Sequence, residues 1–171
     1  MKAITGVLAL GILFFGIKGR TENIKVSFRG KIFVRDQSHP DLGEAYRDPS
    51  GLIWGSPVPD KDDPNGMLSF TFYQAKTYCK SIGARLPHFE DFNRLAKYLG
   101  VVNSKGILLL MNNVAGEPED QLLPFHGFLW STQIQKDNHN NALIFDTYHG
   151  GYSSNPLNLA MSGVGTLCVV K

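Results

Sequence analysis

Two cysteines, five histidines and two acidic runs are the side chains whose chemistry goes beyond packing in this sequence. Cys79 and Cys168 are its only cysteines. In an exported chain, an even pair reads most simply as one disulfide, closing a loop of about 90 residues. Two buried free thiols are the alternative. A two-cysteine metal site is weaker, because no histidine stands near either cysteine at ligand spacing. His39, His88, His126, His139 and His149 are scattered, and none sits beside a serine- or cysteine-centred motif. No HExxH, P-loop or GxSxG pattern occurs. General acid–base or nucleophilic chemistry therefore has no residue set to rest on, and the expectation is a protein that binds rather than one that catalyses.

The acidic runs suggest cation chemistry instead. Asp60, Asp62, Asp63 and Asn65 cluster oxygen ligands as a hard cation such as calcium requires, although Pro64 falls on a ligand position of the EF-hand loop. Glu117-Pro118-Glu119-Asp120 is similar to the Glu-Pro-Asn carbohydrate motif of calcium-dependent lectins, with Glu119 in place of Asn. For both runs the alternative is a solvated acidic loop. Calcium is the one cofactor these residues suggest. His149, Tyr152, Asn155 and Asn158 lie in a Gly- and Ser-rich stretch, the adaptable polar and aromatic chemistry of a ligand-binding loop. Turn residues between strands would have the same composition.

The ends of the chain set its address. Lys2, an uncharged run over residues 3–17, then Lys18 and Arg20 read as a secretory signal over residues 1–20. The run is shorter than the roughly 20 residues of a membrane span. It lacks an Ala-x-Ala cleavage site, so an uncleaved N-terminal anchor is the alternative, and the only route to a membrane. The expected location is the periplasm or the cell surface. Of 17 Lys and Arg, three lie in this segment, leaving 14 against 15 Asp and Glu. A near-neutral remainder has no electrostatic footprint for nucleic acid or an anionic membrane.

The rest of the chain must supply the scaffold. Residues 24–34 alternate with an interruption at Arg29-Gly30, which predicts two short strands; residues 21–45 are read as an N-terminal strand segment preceding a main domain over 46–171. Asp48-Pro49-Ser50-Gly51 has the pattern of a type I turn leading to a strand at 52–54. Thr71-x-x-Gln74 is a capping box. It opens a helix whose buried face carries Phe72, Ala75, Tyr78, Cys79 and Ile82, closed by Gly83. A second helix follows Pro87, with Phe92, Leu95, Ala96 and Leu99 on one face. Strands are expected at 125–132, 142–147 and 166–171, with a polar loop over 150–165. Helices followed by hairpin-like strands imply an α+β fold with an antiparallel sheet.

The order of GLIW (51–54), AKTYCKSIGARLP (75–87), FLWST (128–132) and LCVV (167–170) resembles the domain family named for the C-terminal domain of the Legionella collagen-like adhesin. That family is a distant relative of the formylglycine-generating enzyme group, within the wider C-type-lectin-like fold. The resemblance covers residues 46–171. It implies two helices packed on small antiparallel sheets with long loops, and a first helix stapled to the last strand through Cys79 and Cys168. It also implies that Arg85-Leu86-Pro87 is a structural turn, with Arg85 bonding backbone carbonyls and Pro87 starting the second helix. Trp54 and Trp130 become core aromatics of the sheet, with a ligand-stacking surface as their alternative role. Ala84, His88 and Leu167 depart from the pattern, His88 where a Thr would cap the second helix and Leu167 where an Arg would precede the final cysteine. Formylglycine generation needs a close copper-holding cysteine pair. Here the two cysteines match the staple and leave no second pair, which excludes that activity. The implied function is an exported ligand-binding domain, for glycans or another cell-envelope component. A structural or assembly protein of the envelope, oligomeric or bound to a protein partner, is the other reading. Near-neutral charge argues against strong attraction to sulfated polysaccharides, which the family suggests.

Overall fold

A computed structural model of the chain describes residues 25–28, 31–62, 67–99, 101–102, 108–109, 127–147, 151–161 and 164–171. The expected signal at 1–20, Asp63, Asn65, the acidic run 117–120 and His149 lie outside the described residues. The alternating residues near the N-terminus form a hairpin of β1 (Lys25–Phe28) and β2 (Lys31–Asp36), with Lys25 opposite Val34. The polar stretch that follows is not all loop. It contains a 3-10 turn at Pro40–Leu42 and a strand, β3 (Ala45–Arg47), which pairs with β2 and with β4 (Ile53–Trp54). Only Ala45 and Tyr46 mark β3 in the sequence; both are buried, and pairing on two sides forms the strand.

Helix α1 (Phe72–Ser81) starts as its capping box dictates. Gln74 N–H donates to Thr71 Oγ1 at 3.3 Å, and Thr71 N–H donates to Gln74 Oε1 at 2.9 Å. It stops in a Schellman motif around Gly83, whose φ of 72° suits glycine. Gly83 N–H reaches Lys80 O at 3.1 Å and Ala84 N–H reaches Cys79 O at 2.8 Å. Phe72, Ala75 and Cys79 face the core. Helix α2 (Phe89–Leu99) begins two residues after Pro87. His88 occupies the capping position without capping through its side chain. Asp91 reaches back instead, accepting from His88 N–H at 2.8 Å, so the acidic half of a capping box stands alone.

The remaining strands are β5 (Val101–Val102), β6 (Leu108–Leu109), β7 (Phe128–Ile134), β8 (Asn141–Asp146), β9 (Tyr152–Pro156), β10 (Val164–Gly165) and β11 (Val169–Val170). One sheet has the order β1-β2-β3-β4-β11, a second β10-β7-β8-β9, and β5 and β6 form a small hairpin. The fold is α+β, as the element order implies. Two expectations change. The stretch 150–165 is not a single loop, because β9 pairs with β8 from Asn141–Pro156 to Phe145–Tyr152. Its YSSNP sequence has turn composition, and the apolar neighbour β8 supplies the pairing that composition hides. Nor are the sheets wholly antiparallel, since β10 runs parallel to β7 with Val164 opposite Phe128.

Two apolar clusters fill the interior. One gathers Phe33, Tyr46, Trp54, Phe92 and Phe145; the other gathers Phe72, Cys79, Trp130, Ile144 and Val164. Both tryptophans are core residues with their N–H groups satisfied. Trp54 Nε1 donates to Asp48 Oδ2 at 2.9 Å and Trp130 Nε1 donates to Phe70 O at 3.0 Å. Cys79 and Cys168 form a disulfide, buried at both ends, that joins α1 to the segment entering β11. Across a separation of 89 residues, the chain-entropy estimate for such a closure is about 4–5 kcal/mol.

Candidate functional site

The residues singled out for ligand binding do not share one environment. Tyr152 turns inward from β9. Its ring stacks on Phe89 with centroids 3.7 Å apart and meets Phe145 edge-on at 5.0 Å, and its hydroxyl donates to Phe89 O at 3.0 Å. Burial, with the nearby Glu90 carboxylate, pushes its pKa well above the usual tyrosine value, so the phenol stays a donor. Asn155 is buried, and its Nδ2 donates to Leu159 O at 3.2 Å, fixing the turn after β9. Asn158 is exposed on that turn. Asp60 and Asp62 occupy a local turn in which Asp62 N–H donates to Asp60 Oδ1 at 3.0 Å. Among the described residues, no group of three or more His, Cys, Asp or Glu side chains is gathered as a metal site.

A different set converges at the edge of the five-stranded sheet, and strand register shows why. Arg85 bonds to Val169 in both directions, at 3.0 and 2.8 Å, and so extends the sheet beyond β11. Val169 in turn opposes Trp54. Directly opposed residues share a face, so Arg85, Val169 and Trp54 point the same way. Period two adds Leu52, two before Trp54, and Lys171, two after Val169. Helix α2 covers this face, with Phe92 packed on Trp54 at a centroid distance of 5.8 Å. Beyond that contact the cover runs out, leaving a cleft of about 250 Å³ lined by Ser50, Leu52, Arg85, Asp91, Arg94 and Lys171.

The cleft walls are held from behind by two carboxylates. Asp48, buried, accepts from the N–H and hydroxyl of Ser50 at 2.8 and 2.6 Å, from Leu52 N–H at 3.1 Å and from the Trp54 indole. This fixes the turn that delivers Ser50 and Leu52. Asp91 accepts from Arg85 Nη1 at 2.7 Å through one oxygen and from Arg94 Nη2 at 2.8 Å through the other. Burial alone would raise the Asp91 pKa; the Arg85 hydrogen bond, the His88 amide and Arg94 outweigh it and hold the carboxyl below its usual range. Arg85 also donates to Leu86 O at 3.0 Å, the backbone-bonding role expected of it. Pro87 O accepts from Thr132 N–H at 2.9 Å, tying the turn to β7.

Sequence reasoning singled out Arg85 here, but only as a turn residue, and it gave Asp91 and Arg94 no part in a site. The spacing of Arg94 to Asp91 (i, i+3) was visible. The approach of Arg85 and Lys171 follows from strand pairing and has no local signature. A second cleft of about 190 Å³ lies beside the disulfide, between Leu42, Val58, Tyr78 and Ile82. No protein-family model matches this chain, and no curated protein matches it.

Proposed function

We propose that this chain is an exported ligand-binding domain of C-type-lectin-like fold, and that its ligand is a glycan or another cell-envelope component. The observation that carries the reading is the cleft beside β11. It is open, polar and built on the sheet, the turn before α2 and α2 itself, so its side chains are positioned before a ligand arrives. A disulfide closing the body accords with an oxidising compartment. The resemblance over residues 46–171 supports the fold, and a fold of this kind hosts unrelated activities, so the site carries the functional weight. The test is a glycan array probed with the disulfide-bonded protein, with and without calcium. Selective binding to one glycan class is the expected result; binding to nothing under either condition contradicts it.

A specific feature favours the other reading, an envelope assembly protein. Phe72 N–H donates to Leu157 O at 3.1 Å, which brings the start of α1 to the turn after β9. Tyr73, Leu159 and Met161 on these two segments are the exposed large apolar side chains among the described residues. Size-exclusion chromatography separates the readings, since assembly requires a stable oligomer or a co-purifying partner.

A further inference from the structure

We propose that the cleft beside β11 binds the acid group of its ligand, a carboxylate or phosphate. This deepens the ligand-binding reading and rests on it. Among its side chains the lining holds three cations, Arg85, Arg94 and Lys171, against one carboxylate, that of Asp91. That carboxylate is already spent, with both oxygens accepting from the two arginines and one also from the His88 amide. The hydroxyl proton of Ser50 is directed to Asp48, so it does not serve the cleft.

The cations keep unused donors. Arg85 commits Nη1 and Arg94 commits Nη2, while Nε and the second Nη of Arg85, Nη1 of Arg94 and Nζ of Lys171 have no partner among the described residues. Asp91 also does for the arginines what a binding site requires. It tethers both guanidinium groups through one N–H each, so less side-chain freedom is lost when an oxyanion docks on their free donors. The free fork of Arg85, one further N–H group of Arg94 and an ammonium nearby match an oxyanion in charge and in donor geometry, whereas a neutral sugar would leave this charge unanswered. The volume of about 250 Å³ is below the range typical of drug-sized ligands, about 300–1,000 Å³, which suits one acid group with one sugar-sized body. Leu52, buried at the base, offers an apolar wall for that body.

Calorimetric titration of the full chain at low ionic strength, with inorganic phosphate, galacturonate and galactose as separate probes, tests the assignment. Saturable binding of phosphate or galacturonate, but not galactose, is expected, and the stronger of the two identifies a tetrahedral or a planar acid group. Lys171→Gln removes an exposed charge that has no side-chain hydrogen bond or ion pair among the described residues and should weaken binding about threefold. Arg94→Gln should weaken it about tenfold, with Arg94→Lys retaining part. Lys136→Gln, on the exposed turn after β7, should change nothing. If Arg94→Gln fails to fold, Lys171→Gln and Arg94→Lys still decide. Equal anion affinity in wild type and in the cleft variants that fold, or no saturable anion binding at all, overturns the inference. Selective glycan binding on the array without any anion binding would overturn this assignment alone and leave the ligand-binding reading standing.

Discussion

Asp36 and Asp91 show how single carboxylates organise this chain. Asp36 has Arg47 Nη2 at 2.6 Å and His39 Nδ1 at 2.9 Å, and accepts from the hydroxyl and amide of Ser38 at 2.7 and 3.0 Å. Burial pushes its pKa upward, and the hydrogen bonds from His39, Ser38 and Arg47 together outweigh this and bring it down to about 2. Asp91 is lowered in the same direction by Arg85, the His88 amide and Arg94, again against its burial. A carboxylate whose folded pKa lies below its unfolded value adds stability that is fully present above the unfolded pKa. That stability is lost as pH falls through the folded one. Denaturant unfolding should therefore show stability dropping as pH falls from about 4 to about 2. Asp36→Asn and Asp91→Asn together should be less stable at neutral pH and flatten that acid limb. An acid limb of unchanged steepness in the double variant would contradict these pairings. Neither network is written in local spacing alone. Asp36 and Arg47 meet because β2 pairs with β3, and Asp91 meets Arg85 because β11 holds the turn before α2.

At the scale of elements, the turn from Asp48 into β4 depends on one side chain. Asp48 serves two amides, a hydroxyl and the Trp54 indole, and the tryptophan it anchors touches α2 through Phe92. Asp48→Asn replaces one acceptor oxygen with a donor amide, leaving the Trp54 indole N–H or a backbone amide unsatisfied. The expected loss is about 1–3 kcal/mol in denaturant unfolding; a loss indistinguishable from that of an exposed Asp137→Asn would remove Asp48 from this role. The elements divide by how they form. α1, α2 and the β1–β2 hairpin are legible in the sequence because each carries its own periodicity, and α1 carries caps at both ends. β3, β9 and β10 are not legible. They are short or polar, and each becomes a strand through a neighbour that lies distant in sequence or is itself recognised by its apolar run. The same separation hid the cleft, since its lining comes from four segments between Ser50 and Lys171.

For the molecule as a whole, the covalent bond and the proposed export belong together. The disulfide ties α1 to the entry of β11, and β11 positions both Arg85 and Lys171, so the bond stands directly behind the proposed site. Closure across 89 residues limits the unfolded chain, and the oxidising compartment that such a bond needs is the one an exported protein reaches. The pairing itself was legible from two cysteines and the family resemblance, whereas the ligand site was not. The most direct test of an exported, stapled binding domain is fractionation of the host cells with thiol alkylation before and after reduction. The protein should be found in the envelope or extracellular fraction, with Cys79 and Cys168 labelled only after reductant is added. Native protein recovered from the cell interior with both cysteines labelled before reduction would contradict it.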